Sequence, residues 1–353
     1  MRNVARAAAR GMYAKWRRLP LQEAVLLEAF EGTSVDCNPG AIAADLLENT
    51  DLPLIWALRE PVGFADARIH VVKYRSMAYY RALASTKYLV NNVTFPPLFD
   101  KRDDQRYLNT WHGTPLKKMG LDVDSPYIQV ANTVHNFAAA DLLLSSGEYM
   151  TRTMYAGAYG LETTNVVELG SPRVDVQFRA PASRDIVLYA PTWQEATYTT
   201  AVDDSADVAV RMQAIADAVP GGLRPMLRVH SKLARSAAAD STLQQFLAPP
   251  EVPTNALLAS CHTVITDYSS VAFDFLATGS RLLFFTPVGY PRGTYLADDE
   301  LPGPRTDSLA QLQQWLADGV AADEQTVARA RQRFCGHEDG KATRRVVERL
   351  LTH

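Results

Sequence analysis

Short apolar runs alternate with helical stretches along the whole chain, and that order leaves few folds open. Residues 24–30, 53–58, 69–74, 87–90, 107–111, 141–144 and 166–169 read as strands, each a brief run bounded by polar or turn residues. Asn38-Pro39 reads as a helix start between the first two, since Asn accepts a bond from free amides and Pro suits the first turn. Repeated strand–helix–strand order implies a parallel, doubly wound sheet. The stretch from Ser171 to Asp185 carries two prolines and several polar residues, and reads as a boundary. A second series follows at 185–190, 223–229, 263–266 and 281–285, with helical stretches near 205–218, 255–260, 269–278 and 307–318. Residues 322–351 read as amphipathic helix, interrupted at 336–340.

A length of 353 residues suits two domains of roughly 150–200 residues each. The expected division is a basic N-terminal segment 1–22, an N-terminal Rossmann-like domain 23–178, and a C-terminal Rossmann-like domain 179–353 with terminal helices that cross back. Two such α/β halves facing across a cleft make the glycosyltransferase-B-like architecture. The net charge of −3 argues against nucleic-acid binding by bulk electrostatics. Cys37, Cys261 and Cys335 are scattered and odd in number, which argues against a disulfide framework and fits a reducing cytosol. No zinc-type Cys/His spacing appears, and no apolar run approaches the ~20 residues of a membrane span. The N-terminus departs from the average. Arg2, Arg6, Arg10, Lys15, Arg17 and Arg18 precede the first acid, Glu23, interleaved with apolar and aromatic residues. Such a helix can lie on an anionic membrane surface or be an ordinary solvated first helix.

Four constellations carry chemistry. In Asn109-Thr-Trp-His-Gly-Thr-Pro-Leu-Lys-Lys-Met-Gly120, His112 falls where a strand ends and a glycine turn begins. Imidazole is the side chain best able to move a proton near neutral pH, and strand C-terminal edges are where α/β sheets bind ligands. His112 is thus a general base or a hydrogen-bonded structural histidine. Gly113 and Thr114 let backbone amides approach a ligand closely, while Lys117 and Lys118 suit a phosphate or a solvated face. In Thr266-Asp-Tyr-Ser-Ser270, a strand runs into a helix that Ser269 and Ser270 can cap, an arrangement able to take a diphosphate. In Leu227-Arg-Val-His-Ser-Lys232, His230 ends a strand beside Arg228 and Lys232. In Leu188-Tyr-Ala-Pro-Thr-Trp-Gln-Glu195, a strand enters a loop at Pro191 and Thr192, where Trp193 packs on a base or fills a hinge. Asp122-Val-Asp124 has a metal-binding spacing but reads as a helix cap. Glycine-rich dinucleotide loops, Walker loops and serine-hydrolase elbows are missing from the sequence.

These motifs, in this order, resemble the CDP-glycerol glycerophosphotransferase family of teichoic-acid and related capsule synthesis. Phe30-Glu-Gly-Thr, Cys37-Asn-Pro, Tyr88-Leu-Val-Asn-Asn, Glu168-Leu-Gly-Ser-Pro-Arg-Val-Asp175, Arg292-Gly, Pro302-Gly-Pro and Asp339-Gly-Lys-Ala342 extend the likeness over about residues 23–351. Two stretches depart from it. Gln194-Glu195 follow Trp193 where the family often has an arginine, and the link from Phe285 to Arg292 is short. The resemblance implies transfer of glycerol phosphate from CDP-glycerol to a hydroxyl of a lipid-linked acceptor, with release of CMP and no required cofactor or metal. By the same likeness His112 is the base, His230 assists at the diphosphate, and Thr266, Asp267, Ser269 and Ser270 hold it. Pro191, Thr192, Arg228 and Arg292 join Gly113 and Thr114 in binding substrate. The first domain would take the acceptor and the second the CDP-alditol. The protein would be cytoplasmic and peripheral on the inner membrane face. Other readings are a CDP-ribitol phosphotransferase, a nucleotide-sugar glycosyltransferase of the same architecture, and a non-catalytic scaffold.

Overall fold

A computed structural model describes residues 2–123, 127–179, 183–192, 205–229 and 234–352. The chain divides into two compact units, residues 1–112, 124–175 and 337–353 forming one and residues 113–123 and 176–336 the other.

The first unit is built on a seven-stranded, wholly parallel sheet in the order β3-β2-β1-β4-β5-β6-β7. The strands are β1 (Gln22–Glu28), β2 (Leu54–Leu58), β3 (Ile69–Lys73), β4 (Thr86–Asn91), β5 (Arg106–Asn109), β6 (Leu142–Ser145) and β7 (Val166–Glu168). Strand order reverses between β1 and β4, which pair directly. The crevice beyond the C-terminal ends of strands at such a reversal is the usual ligand position. β2 is buried throughout and β4 at every position but Lys87, as parallel strands covered on both faces should be.

The second unit carries a five-stranded parallel sheet in the order β12-β11-β10-β8-β9. Its strands are β8 (Ile186–Ala190), β9 (Arg224–Leu227), β10 (Cys261–Thr266), β11 (Arg281–Phe285) and β12 (Arg305–Thr306). Its reversal lies between β8 and β10. Val187, Tyr189, Ile265, Leu283 and Phe285 meet Met212, Leu312 and Leu316 in its core.

The units divide the chain differently from the expected domain bounds. The last helix, Ala342–Leu351, crosses back to the first unit, where Val346, Val347 and Leu350 are buried against Leu46, Leu54 and Trp56. Its first turn is capped from a distance: Asp175 accepts hydrogen bonds from Ala342 N at 3.0 Å and Thr343 N at 2.7 Å. Residues 113–123 belong to the second unit, because Lys117 bridges Thr294 and Tyr295 N donates to Leu116 O at 2.8 Å. The basic helix Arg2–Trp16 is not a separate segment. Tyr13 is buried, its ring edge-on to Tyr80, and Arg17 pairs with Asp100 at 2.5 Å. The Asp122 carboxylate accepts the Tyr295 hydroxyl at 2.8 Å, and Asp124, the other half of that spacing, lies outside the described residues. Cys37, Cys261 and Cys335 are buried, and among the described residues they form no disulfide. Among the described residues no helix is long and apolar enough to cross a membrane.

Candidate active site

Asparagines build the end of β5. Asn109 donates to Val93 O and to the Tyr107 hydroxyl, both at 2.9 Å, and its carbonyl oxygen accepts Trp111 N at 3.0 Å. Asn38 was expected to cap a helix, but the N-cap position is Asp36. Asn38 lies inside the first turn and reaches across the sheet edge instead. Its amide donates to Thr110 O at 3.3 Å and Trp111 O at 3.2 Å, and its oxygen accepts Arg173 N at 3.1 Å. Trp111 is held at φ 47°, a left-handed conformation rare for a bulky residue. Strain of this kind persists only where the surroundings impose it, and it clusters at functional sites.

His112 follows directly. Its Nδ1 lies 2.7 Å from Asn92 O, just past β4, and its ring meets Phe30, just past β1, at a centroid distance of 5.5 Å. The imidazole therefore sits at the reversal point of the first sheet. A carbonyl only accepts, so Nδ1 carries the proton and Nε2 presents a lone pair. Nε2 has no hydrogen-bond partner among the described residues. Trp111 stacks on the ring at 4.3 Å. Desolvation lowers the imidazole to about 4, the Asn92 hydrogen bond opposes the fall, and the Arg173 charge adds to it. Arg173 is only 8% exposed. Sequence reasoning left it inside a family motif without a role, as it did Asn92. The signal available was an arginine in a proline-bounded stretch, which reads as linker until it is seen to be buried.

In the second unit the reversal point gathers the other motifs. Thr266 Oγ1 donates to Ala190 O at 2.7 Å, and Asp267 accepts Thr192 N at 2.8 Å and Tyr268 N at 2.7 Å. The loop after β8, with Pro191 and Thr192, is thus tied to the end of β10. Burial pushes the Asp267 carboxyl up, while its hydrogen bonds and Lys117 pull it down. Ser269 accepts Val271 N at 3.3 Å, but Ser270 makes no side-chain cap bond, contrary to expectation. Ser270 lies instead against Gly113. A Cβ there would stand 2.5 Å from Ser270 Oγ, so the approach requires glycine. Thr114 is buried beside it. Lys117 Nζ sits 4.6 Å from the Tyr290 ring centroid, and Arg292 donates from Nε to the Tyr290 hydroxyl at 3.1 Å. Tyr290 in turn packs on Tyr268 at 5.5 Å. Two cations thus gather on the aromatic pair beside Ser269. Arg228 gives two donors to backbone, reaching Val252 O at 2.6 Å and Pro249 O at 3.4 Å. His230, Trp193 and Lys232 lie outside the described residues.

The reversal of the first sheet thus holds a neutral imidazole, and that of the second holds hydroxyls, amides and cations. The chain belongs to the CDP-glycerol:poly(glycerophosphate) glycerophosphotransferase family, whose sequence pattern it matches over residues 12–352. It is 27% identical to the teichoic acid glycerol-phosphate transferase of Staphylococcus aureus, across 95% of this chain and 94% of that protein. It is 25% identical to the teichoic acid poly(glycerol phosphate) polymerase of Bacillus subtilis strain 168, of which it spans 49%. Among solved structures, the wall teichoic acid polymerase TagF superposes with a TM-score of 0.81 at 22% identity, covering 99% of this chain and 94% of that one. This likeness speaks for the fold.

Proposed function

We propose that the protein transfers glycerol phosphate from CDP-glycerol to a hydroxyl of a lipid-linked teichoic-acid-type acceptor. The acceptor oxygen attacks the phosphorus that bears glycerol, and the bond from that phosphorus to the bridging oxygen breaks. CMP leaves with the electron pair, and His112 Nε2 takes the hydroxyl proton. One observation carries the reading: Nδ1 of His112 is committed to Asn92 O at 2.7 Å, so Nε2 is an acceptor at the sheet reversal. A positioned base contributes typically ~10²–10⁴-fold. The second unit supplies charge stabilisation. Ser269, Ser270 and Thr192 offer donors, and Lys117 and Arg292 offer positive charge against the diphosphate. His230 assists at the leaving group.

The experiment is CMP release with CDP-glycerol, CDP-ribitol and a panel of UDP-sugars, together with donor binding by the His112→Ala variant. The reading expects CMP from CDP-glycerol, and a variant that binds donor but does not turn over. Normal turnover by His112→Ala removes the base assignment, and UDP release removes the donor.

The same proposal places the protein on the inner membrane face, held through its N-terminal helix. Arg10, Met12 and Lys15 are exposed there while Tyr13 anchors the helix. Co-sedimentation with phosphatidylglycerol vesicles, lost in high salt and on replacing Arg10 and Lys15 by Gln, is the expected result. Equal binding to neutral vesicles contradicts it.

A further inference from the structure

Beyond β2 and β3, at the edge of the first sheet that carries His112, two arginines are held on one tyrosine. Arg59 follows β2 and Arg75 follows β3, and each guanidinium carbon lies 5.1 Å from the Tyr74 ring centroid. Both arginines are exposed. The backbone beneath them is tightly built. Arg59 N donates to Gly32 O and Tyr74 N to Leu58 O, both at 2.8 Å. A Cβ on Gly32 would stand 3.0 Å from Ala57 O, 3.1 Å from Tyr74 Cβ and 3.2 Å from Arg59 N, and its φ is +77°. Phe30, Glu31 and Arg75 also have positive φ, at 47°, 54° and 58°. Left-handed conformations of non-glycine residues cluster at ligand sites, where the surrounding structure imposes them. Glu31 accepts Arg59 Nη2 at 2.7 Å, and its backbone oxygen accepts Nε at 2.9 Å. Those bonds orient one guanidinium and leave other donors of its five uncommitted. The same short loop reaches the imidazole, because the Phe30 ring is 5.5 Å from that of His112.

We propose that Arg59 and Arg75 form a subsite for a phosphodiester anion of the acceptor chain, set back from the hydroxyl that His112 deprotonates. This rests on the function proposed above and adds to it the chemistry of the acceptor: a polyanion recognised by charge along its backbone. Guanidinium groups suit phosphate because they present several donors in one plane and stay charged. Glu31 has two effects, holding Arg59 in place and competing with the incoming anion for it.

The test is titration calorimetry of the whole chain with a synthetic, lipid-free oligomer of phosphodiester-linked glycerol, with CDP-glycerol affinity and CMP release measured separately. Arg59→Gln and Arg75→Gln are each expected to weaken oligomer binding about five- to tenfold while changing CDP-glycerol affinity less than about twofold. Arg59→Lys and Arg75→Lys recover part of the loss. Glu31→Gln is expected to tighten binding, an outcome that a merely damaged fold does not give. The proposal is overturned if the wild type does not bind the oligomer, if both Gln variants bind as the wild type does, or if CDP-glycerol affinity falls in step. The two readings separate cleanly. Binding through the arginines without CMP release keeps the subsite and removes the transfer chemistry. Normal CMP release with arginine-independent oligomer binding does the reverse.

Discussion

At the scale of single residues, the buried titratable groups around the reversal point have opposite consequences for pH. His112 is lowered to about 4, mainly by desolvation. Between pH 4 and about 6.5 the unfolded chain binds a proton that the native chain refuses. Stability therefore falls as the pH drops through that window, and His112→Gln should flatten the fall. The acid limb of kcat/KM should likewise lie well below pH 6.5. Arg173→Gln removes a nearby positive charge and should move that limb upward, while Arg173→Lys should leave it nearly in place. A pH–rate profile of the two variants checks this, and identical limbs contradict a charge role for Arg173. Glu28 has the other sign. Burial first, then the Glu31 charge, raises its carboxyl to about 8, against the lowering effect of hydrogen bonds from Tyr79 and Asn91. From about pH 4.5 to 8 the native chain keeps a proton that the unfolded chain loses, so the wild type becomes less stable as pH rises. Glu28→Gln cannot ionise, so its stability relative to the wild type should grow across that range. Urea midpoints at pH 6 and pH 8 measure the difference.

At the scale of elements, two close approaches matter. Gly113 lies where a Cβ would meet Ser270 Oγ at 2.5 Å and Ser270 Cβ at 2.7 Å. Gly113→Ala should therefore cost at least tenfold in kcat/KM, and adding Ser270→Gly should relieve the clash without restoring the rate, because it removes a donor to the diphosphate. A double variant with intact donor binding and no gain in rate assigns that hydroxyl a direct role. The helix Ala342–Leu351 depends on Asp175, which accepts from Ala342 N, Thr343 N and the Thr343 hydroxyl. Asp175→Ala should remove about 1–2 kcal/mol of cap stabilisation, a fall in Tm of roughly 2–8 °C by calorimetry. The strands were legible in the sequence because most are short, largely apolar runs bounded by polar or turn residues. β12 was not, since Arg305–Thr306 is too short and too polar to leave a pattern. His112 was legible because a histidine next to a glycine turn breaks the packing pattern. Asn38 and Arg173 were not, because their partners lie 72 and 135 residues away and no local spacing encodes such bonds.

At the scale of the whole molecule, the chain weaves between its units. Residues 113–123 leave the first unit and 124–175 return to it, and 337–353 return again after the second unit is complete. Sequence reading places one boundary near 171–185, where two prolines stand, and expects the terminal helices to cross back. It had no means of seeing that the run after His112 is shared out between the units, with His112 in one and Gly113 in the other. The two motifs that carry the family likeness near 168–175 and 339–342 are now explained by contact, since Asp175 caps the helix that starts at Ala342. The central claim is that this molecule moves glycerol phosphate with His112 as the base. Its most direct test is mass spectrometry of a short synthetic lipid acceptor incubated with CDP-glycerol and either the wild type or His112→Gln, with CMP counted alongside. The account expects the wild-type product to gain glycerol phosphate units, one CMP per unit, and the variant product to gain none although the variant binds donor. An unchanged acceptor with active protein, or equal gains by the variant, would contradict it.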